Sequence, residues 1–239
     1  MRSVLAAGLA LAQLVGCSGK SPPRRSDLVL RQRITSTAPA TQPVEEVRYL
    51  TPTSRITDDA HTRSIVDLAA ERMTTIDKDN KTYSVTTFQE LQRASVAQQR
   101  RVAEAPAELK WLLDPPVDVQ PTGRRQKIGA FDAREYIFAS GELSGAVWIA
   151  DELHAPMEGP AWEKFTNAVG GNQGPAGKLE QAISKLDGLP VRAISTTAFG
   201  NEKITITTEV VEVRREPPPP EILTVPEGYT KTDTPILSD

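Results

Sequence analysis

Apolar and polar side chains alternate along several segments of the N-terminal half, which is the pattern of β-strands with one buried face. Residues 28–35 show this alternation, and we predict further strands at residues 45–50 and 64–69. In residues 72–85, two β-favouring segments flank the turn-forming residues 77–80. The first part of the chain is therefore predicted to be a run of strands that ends in a hairpin.

A helix is predicted directly after this hairpin. Residues 87–90 have the order Thr-Phe-Gln-Glu, the form of a capping box, in which the threonine and the glutamate satisfy backbone donors at a helix start. Pro106 ends the helix, because proline cannot donate the next backbone hydrogen bond. A second short helical piece is predicted within residues 106–116, and two amphipathic helices are predicted at residues 160–169 and 178–186.

The C-terminal half is predicted to be mostly strand. Residues 117–150 have the pattern of a three-stranded antiparallel meander, and residues 146–150 are apolar at consecutive positions, so this last strand must be covered on both faces. Two long strands follow at residues 191–199 and 203–214. In the second of them the apolar positions change from even to odd, which predicts a β-bulge near Val210.

The order of these elements predicts the fold class. Strands come first, then a helix, a meander, two helices and two long strands, with a last short strand at residues 222–225. This order indicates an α+β fold built on an antiparallel sheet. We expect a single domain over residues 27–230, followed by a flexible tail at residues 231–239.

The first residues of the chain have the organisation of a secretory signal. Arg2 precedes an apolar stretch at residues 4–16, which is shorter than the roughly 20 residues that cross a bilayer. The chain's single cysteine, Cys17, follows at once, in the order Leu-Val-Gly-Cys. This order resembles the lipobox of bacterial lipoproteins, in which the cysteine carries the lipid after cleavage. We predict a signal peptide at residues 1–16 and a lipidated tether at residues 17–26.

Acylation of Cys17 would anchor the protein, because two or more acyl chains hold a protein stably on a membrane. By the same resemblance, Ser18 stands where inner-membrane retention in many Gram-negative bacteria uses aspartate. The expected location is therefore the outer membrane, facing the periplasm, and the membrane is a predicted partner. In the alternative interpretation the N-terminal segment is not cleaved, and Cys17 is an ordinary hydrophobic residue of the anchor.

Charge and composition exclude one class of partner. The 239 residues carry a net charge of −3, with positive and negative residues interleaved along the chain, whereas nucleic-acid binding needs a basic face or stripe. The pairs Arg24-Arg25 and Arg124-Arg125 are too short to form one, and we interpret them as solvated surface. We therefore expect no nucleic-acid partner.

No catalytic constellation is found in the sequence, and we predict that the protein is not an enzyme and uses no cofactor. The two histidines, His61 and His154, have no nucleophile signature beside them. Asp151 and Glu152 lie near His154, but alternation would direct the two carboxylates to opposite faces, so a polar strand end is favoured over a catalytic or metal site. Residues 77–81 lack the ligand spacing of an EF-hand loop, and no metal is expected.

Four short motifs, in this order, resemble a known group of proteins. They are residues 77–83, residues 128–136 ahead of residues 147–149, residues 188–192 and residues 225–229. The group is the small bacterial lipoproteins of a domain-of-unknown-function family that is related in fold to the LolA and LppX type of periplasmic carrier. The resemblance implies a strongly curved antiparallel β-sheet, an unclosed barrel, with helices packed on its concave face.

The resemblance also implies a hydrophobic cavity between the sheet and its helices. Such a cavity would hold an acyl chain or another hydrophobic small molecule, and apolar and aromatic side chains would line it. The alternative is that the same side chains simply fill a core. A non-catalytic envelope scaffold that docks a protein partner by an exposed edge strand is a second hypothesis, and a hydrolase is less favoured. The candidate lining residues are Phe138, Trp148, Trp162, Phe165 and Ile183.

Overall fold

The computed structural model describes residues 27–39, 41–106, 115–157, 159–170, 174–199 and 202–233. In these residues twelve strands form one sheet. The strands are β1 (Leu28–Ser36), β2 (Val44–Leu50), β3 (Ser54–Asp58), β4 (Thr62–Asp67), β5 (Arg72–Asp77), β6 (Thr82–Thr87), β7 (Asp118–Ile128), β8 (Phe131–Ser140), β9 (Leu143–Ala150), β10 (Leu189–Phe199), β11 (Glu202–Arg214) and β12 (Thr230–Lys231).

The sheet is curved and unclosed. Its strand order is β12-β6-β5-β4-β3-β2-β1-β11-β10-β9-β8-β7, so β12 and β7 form two separate margins. Neighbouring strands pair antiparallel, except that the short β12 runs parallel to β6. The predicted α+β class with a curved antiparallel sheet is confirmed.

Three helices within the described residues cover the concave face of the sheet. They are α1 (Phe88–Glu104), α2 (Pro160–Gly170) and α3 (Gly174–Ile183). The predicted capping box of α1 is confirmed, because the Glu90 N–H donates to Thr87 Oγ1 (3.2 Å) and the Thr87 N–H donates to Glu90 Oε2 (2.7 Å). The helical piece predicted within residues 106–116 falls almost wholly on residues 107–114, which lie outside the described residues.

The predicted β-bulge near Val210 is confirmed. Arg31 of β1 faces Glu212 of β11, but the next residue, Gln32, faces Val210. Val211 is therefore left without a cross-strand partner in this pairing, and it is 45% exposed. The extra residue bends β11 and brings Gln32 and Val210 onto a common face.

The predicted meander is also present, and its last strand is covered on both faces. In β9, Val147 and Ile149 pack beneath α3 with Leu179, whereas Trp148 and Ala150 join a core on the opposite side. All four of these β9 residues are buried. The consecutive apolar residues of this strand thus serve two separate cores.

A third core joins α1, α2 and the first strands. The ring of Phe165 lies 5.3 Å from the ring of Phe88 and 5.5 Å from that of Trp162, measured between centroids. Leu28 and Leu50 pack in the same core as these rings. This aromatic cluster holds one end of the helical layer against the sheet.

The last strand predicted from the sequence, at residues 222–225, is wrong. Residues Pro220–Leu223 form a short 3-10 helix, in which the Ile222 N–H donates to the Pro219 carbonyl at 3.0 Å. Ile222 is buried against Ile56 and Ile65, on the face of the sheet opposite the helices. An apolar residue that is buried in a core from a turn gives the same local sequence pattern as a short strand.

Strand β3 was not predicted, because it has a single aliphatic residue.

Candidate functional site

A cavity of about 1590 Å³ lies between the concave face of the sheet and helices α2 and α3. Its walls come from β1, β2, β3, β9, β10 and β11, from the end of β8 and the turn after it, from both helices and from the segments that follow β9 and α3. The aliphatic part of the wall includes Leu30, Leu50, Val147, Leu179 and Leu189. The curvature of the sheet creates this space, because the helices span the sheet and leave its deepest part unfilled.

Two of the five candidate residues lie at this cavity. Trp162 of α2 and Ile183 of α3 are among its lining residues. Phe165 is not, because its ring is held in the aromatic cluster with Phe88 and Trp162, and it borders a smaller space of about 180 Å³. Phe138 lies in the core beneath α3 and does not reach the cavity.

The fifth candidate, Trp148, lies on the other side of the sheet. It pairs with Arg192 across β9 and β10, and the Arg192 guanidinium lies 5.3 Å from the centre of the Trp148 ring. Its neighbours in the core are Ile128 and Leu153. Because Trp148 and Val147 are consecutive in a strand, only Val147 can face the cavity. Cys17 lies outside the described residues.

A group of polar residues that the sequence analysis missed lies at the β1–β3 side of the cavity. We call it the polar belt: Gln32, Arg48 and Arg55 of the wall, with Glu46 beside them. Gln32 and Glu46 are a cross-strand pair of β1 and β2, and Arg48 faces Leu30 two pairs further along, on the same face. Arg55 faces Leu50 across β2 and β3. In β1 and β2, these residues stand at the same alternate positions as the buried leucines and therefore lie on the same face of the sheet. This alternation was the one sequence signal that could have revealed them.

Two ion pairs occupy the polar belt. Arg48 Nε donates to Glu46 Oε1 at 2.6 Å, and the Glu46 side chain is only 12% exposed. Arg55 Nη1 donates to Glu180 Oε1 of α3 at 2.9 Å, which links the sheet to the helix across the cavity. Burial opposes ionisation of Glu180, but the charge and hydrogen bond of Arg55 and the charge of Arg48 outweigh it and lower the pKa of Glu180. Glu180 is thus ionised at neutral pH.

Gln32 is the buried polar residue of the belt that is not fully satisfied. Its side chain lines the cavity wall and is 4% exposed, and its Oε1 has no hydrogen-bond partner within the described part of the chain. Ser140, at the far end of β8, is 2% exposed and lines the same cavity, and its Oγ also has no hydrogen-bond partner within the described residues. A buried polar atom without a partner is rare in proteins and calls for an explanation.

Asp151 and His154, which follow β9, and the other histidine, His61, each have a side-chain partner. Asp151 accepts from Arg134 Nε at 2.6 Å and from Arg125 Nη1 at 3.3 Å. His154 lines the cavity, and its Nδ1 lies 3.5 Å from Asp187 Oδ1. His61 Nδ1 lies 2.9 Å from Asp79 Oδ2 on an exposed turn. Asp151 thus has two arginines as partners, and His154 lies beside Asp187.

Within the described residues, His, Cys, Asp and Glu side chains form no group of three or more that could hold a metal ion. In the same residues, none of the helices has the length and the apolar character that spanning a membrane requires.

The fold and its cavity define a half-barrel protein with helices across its open side. The chain belongs to the domain of unknown function DUF4412, which it matches over residues 46–229, more than half of its length. The predicted domain-of-unknown-function family is confirmed by this match, and the half-barrel architecture expected for it is confirmed by the sheet and its helices. No curated protein matches the chain.

Several solved structures are similar to this chain. An uncharacterised conserved protein from Thermus thermophilus shares 8% identity over 87% of this chain and 91% of that chain, with a TM-score of 0.49. PNGF-II shares 8% identity over 87% of this chain but 31% of that chain, with a TM-score of 0.43. A LolA superfamily protein from Nitrosomonas europaea shares 8% identity over 84% of this chain and 91% of that chain, with a TM-score of 0.31.

Proposed function

We propose that this protein is a lipid-anchored lipoprotein of the bacterial outer membrane, facing the periplasm, whose half-barrel holds a hydrophobic ligand such as an acyl chain. The observation that carries the proposal is the cavity of about 1590 Å³ between the sheet and helices α2 and α3. Ligand sites in proteins typically have volumes of about 300–1,000 Å³ and apolar walls. This cavity exceeds that range and has leucine and valine on its floor.

The packing around the cavity also supports binding over simple core filling. Phe138 and Ile149 are buried beneath α3, and Phe165 and Phe88 close the other end, so both ends of the helical layer rest on packed cores. The space lies between these cores. Because protein interiors are normally close-packed, a concave space of this size between two packed cores supports a place for a ligand.

Anchoring rests on the sequence at Cys17. An apolar run followed by Leu-Val-Gly-Cys supports cleavage and acylation at this residue. In this proposal the ten residues 17–26 separate the lipid from β1, and the folded domain works beside the membrane as a binding protein and not as an enzyme. The arginine pairing of Asp151 supports the last point, because it assigns a structural partner to an acidic residue near His154.

The ligand-binding proposal is tested with the full-length chain, purified in mild detergent from bacterial membranes. The neutral fluorophore N-phenyl-1-naphthylamine should bind saturably, with increased emission. The variant Ala193→Phe places a ring in the cavity wall and should weaken binding about tenfold, which corresponds to roughly 1.4 kcal/mol.

The matched control is Ala139→Phe, the same substitution at an exposed position of β8. This variant should bind the fluorophore as the unmodified chain does. If the unmodified chain fails to bind, or if both variants weaken binding equally, the cavity is not a binding site.

The anchoring proposal is tested by Cys17→Ser in cells fed labelled palmitate. The variant should lose the label and leave the membrane fraction, whereas Ser21→Ala, in the same tether, should keep both. Unchanged labelling of the Cys17→Ser protein would overturn the proposed anchor.

A further inference from the structure

We propose that the cavity recognises an uncharged amphiphile whose polar end donates a hydrogen bond, of the class of a monoacylglycerol, in preference to a fatty-acid anion. This inference rests on the proposed ligand-binding function and concerns the chemistry of the ligand's polar end. The acceptor that we assign to it is the side-chain amide of Gln32.

The first argument is the condition of Gln32. Its side chain is 4% exposed and lines the cavity, and its Oε1 is closed to solvent and has no hydrogen-bond partner in the part of the chain that the structure describes. The last torsion of a glutamine side chain is soft, and a half-turn about it would direct Oε1 toward the cavity. A ligand hydroxyl or N–H would then supply the donor that this carbonyl oxygen lacks.

The second argument is the charge of the polar belt. Two arginines at a cavity floor would attract an anionic head group, but both are already paired with carboxylates. Arg48 Nε lies 2.6 Å from Glu46 Oε1, and Arg55 Nη1 lies 2.9 Å from Glu180 Oε1. A ligand carboxylate would have to displace one of these partners or lie among four charges that already cancel.

The rest of the cavity wall has no excess of positive charge either. Among the described lining residues, four are arginine or lysine and four are aspartate or glutamate, but the guanidinium of Arg192 lies over Trp148 on the other side of the sheet. The wall therefore has no surplus cation with which to select an anion. A fatty-acid anion would also place its oxygens beside Glu46, the cross-strand partner of Gln32. An uncharged head group with a donor neither displaces a carboxylate from its arginine nor places a negative charge beside Glu46.

Three probes with the same hydrocarbon chain separate charge from hydrogen bonding. 1-Monooleoylglycerol is uncharged and has donors, methyl oleate is uncharged and has none, and oleate is an anion without a donor. Each is used to displace N-phenyl-1-naphthylamine from the full-length chain. Monooleoylglycerol should bind about three- to tenfold more tightly than methyl oleate, the range of one neutral hydrogen bond, and oleate should bind no more tightly than methyl oleate.

The variant Gln32→Leu assigns the effect to one residue. It should raise the Kd of monooleoylglycerol to that of methyl oleate and leave the Kd of methyl oleate unchanged. Ser195→Ala, another polar residue of the cavity wall, should keep the preference of the unmodified chain. Preservation of the preference in Gln32→Leu would overturn the assignment of Gln32.

The comparison of the three probes on the unmodified chain needs no variant to fold. Equal binding of monooleoylglycerol and methyl oleate would overturn recognition of a donor, and tighter binding of oleate would overturn the preference for an uncharged ligand. In both cases the fluorophore still binds, so the proposed function stands. Failure of the fluorophore itself to bind would reject the proposed function and this inference together.

Discussion

The ring of Phe138 lies against the backbone of its cross-strand partner Gly145. A Cβ atom added at Gly145 would lie 2.8 Å from Phe138 Cζ and 1.9 Å from the carbonyl oxygen of Ile194. Backbone atoms of β10 and an aromatic ring therefore occupy the place of a side chain. This close approach places Phe138 in the core beneath α3 and out of the cavity.

The variant Gly145→Ala should strongly destabilise the protein. Its methyl group would force β9 and β10 apart, and we expect a loss of about 3 kcal/mol in the free energy of unfolding, at the upper end of overpacking effects. Urea unfolding followed by circular dichroism measures the loss. The neighbouring variant Ser144→Ala, at an exposed position, should change the stability by less than about 0.5 kcal/mol. Equal stability of the two variants would contradict the close approach at Gly145.

The capping box of α1 gives a second prediction. Thr87→Ala removes the oxygen that accepts from the Glu90 N–H, and it should lower the free energy of unfolding by about 1 kcal/mol. Thr75→Ala, on an exposed position of β5, is the comparison, and it should have a clearly smaller effect in the same urea titration. An effect of Thr87→Ala no larger than that of Thr75→Ala would argue against the cap.

The cap should also depend on pH. Hydrogen bonds from the Thr87 backbone N–H and hydroxyl lower the pKa of Glu90 below its ordinary value of 4.5. A carboxyl group with a lowered pKa in the folded state stabilises the protein above its unfolded pKa, and it loses this contribution as the pH falls through the folded value. The difference in stability between the unmodified chain and Glu90→Gln should therefore be present at pH 7 and shrink below about pH 4. A constant difference from pH 7 to pH 3 would be inconsistent with this linkage.

The ion pair between Arg55 and Glu180 connects β3 to α3 over the cavity. Because it is partly exposed, its contribution is modest, about 1 kcal/mol or less. Glu180→Gln should therefore leave global stability nearly unchanged but increase hydrogen exchange of the α3 amides. Glu163→Gln, on α2, serves as the control and should leave that exchange as it is. Unaltered exchange in Glu180→Gln would mean that the pair does not hold the helix.

Ile222 and Leu223 are neighbours with opposite environments. Ile222 is 9% exposed and packs against Ile56, whereas Leu223 is 44% exposed. In urea unfolding, Ile222→Ala should cost about 2–4 kcal/mol of unfolding free energy, and Leu223→Ala should cost less than about 0.5 kcal/mol. Similar losses in both variants would show that the 3-10 helix does not seal this core.

Local signals in the sequence were sufficient for much of the fold. The capping box at Thr87 specifies its own hydrogen bonds, and the parity change near Val210 reports a bulge because a strand has a strict period of two. The interpretation of residues 222–225 was wrong because an apolar residue shows only that it is buried and does not show which backbone buries it.

The cavity was harder to predict than the strands. The size of their aromatic side chains suggested Trp148 and Phe138 as cavity-lining residues. Which face of a strand becomes the cavity wall, however, depends on how the sheet curves, and the pairing of strands that are distant in sequence determines that curvature. The polar belt was missed for a related reason. Gln32 and Arg48 have the parity of buried leucines, yet glutamine and arginine are typical of solvated strand faces. Only the pairing of β1 with β2 brings them to one place.

The two margins of the sheet limit how copies of this protein can join. At one margin, Thr230 and Lys231 occupy the side of β6 that would otherwise offer its backbone groups to a neighbour. At the other, β7 contains Pro121, and its register is irregular between Pro121 and Arg125. Proline and irregular backbone are devices that discourage strand addition and fibre growth. If the chain is anchored as we propose, copies held at high local density on a membrane would benefit from such protection, and C-terminal truncation before Thr230 should expose β6.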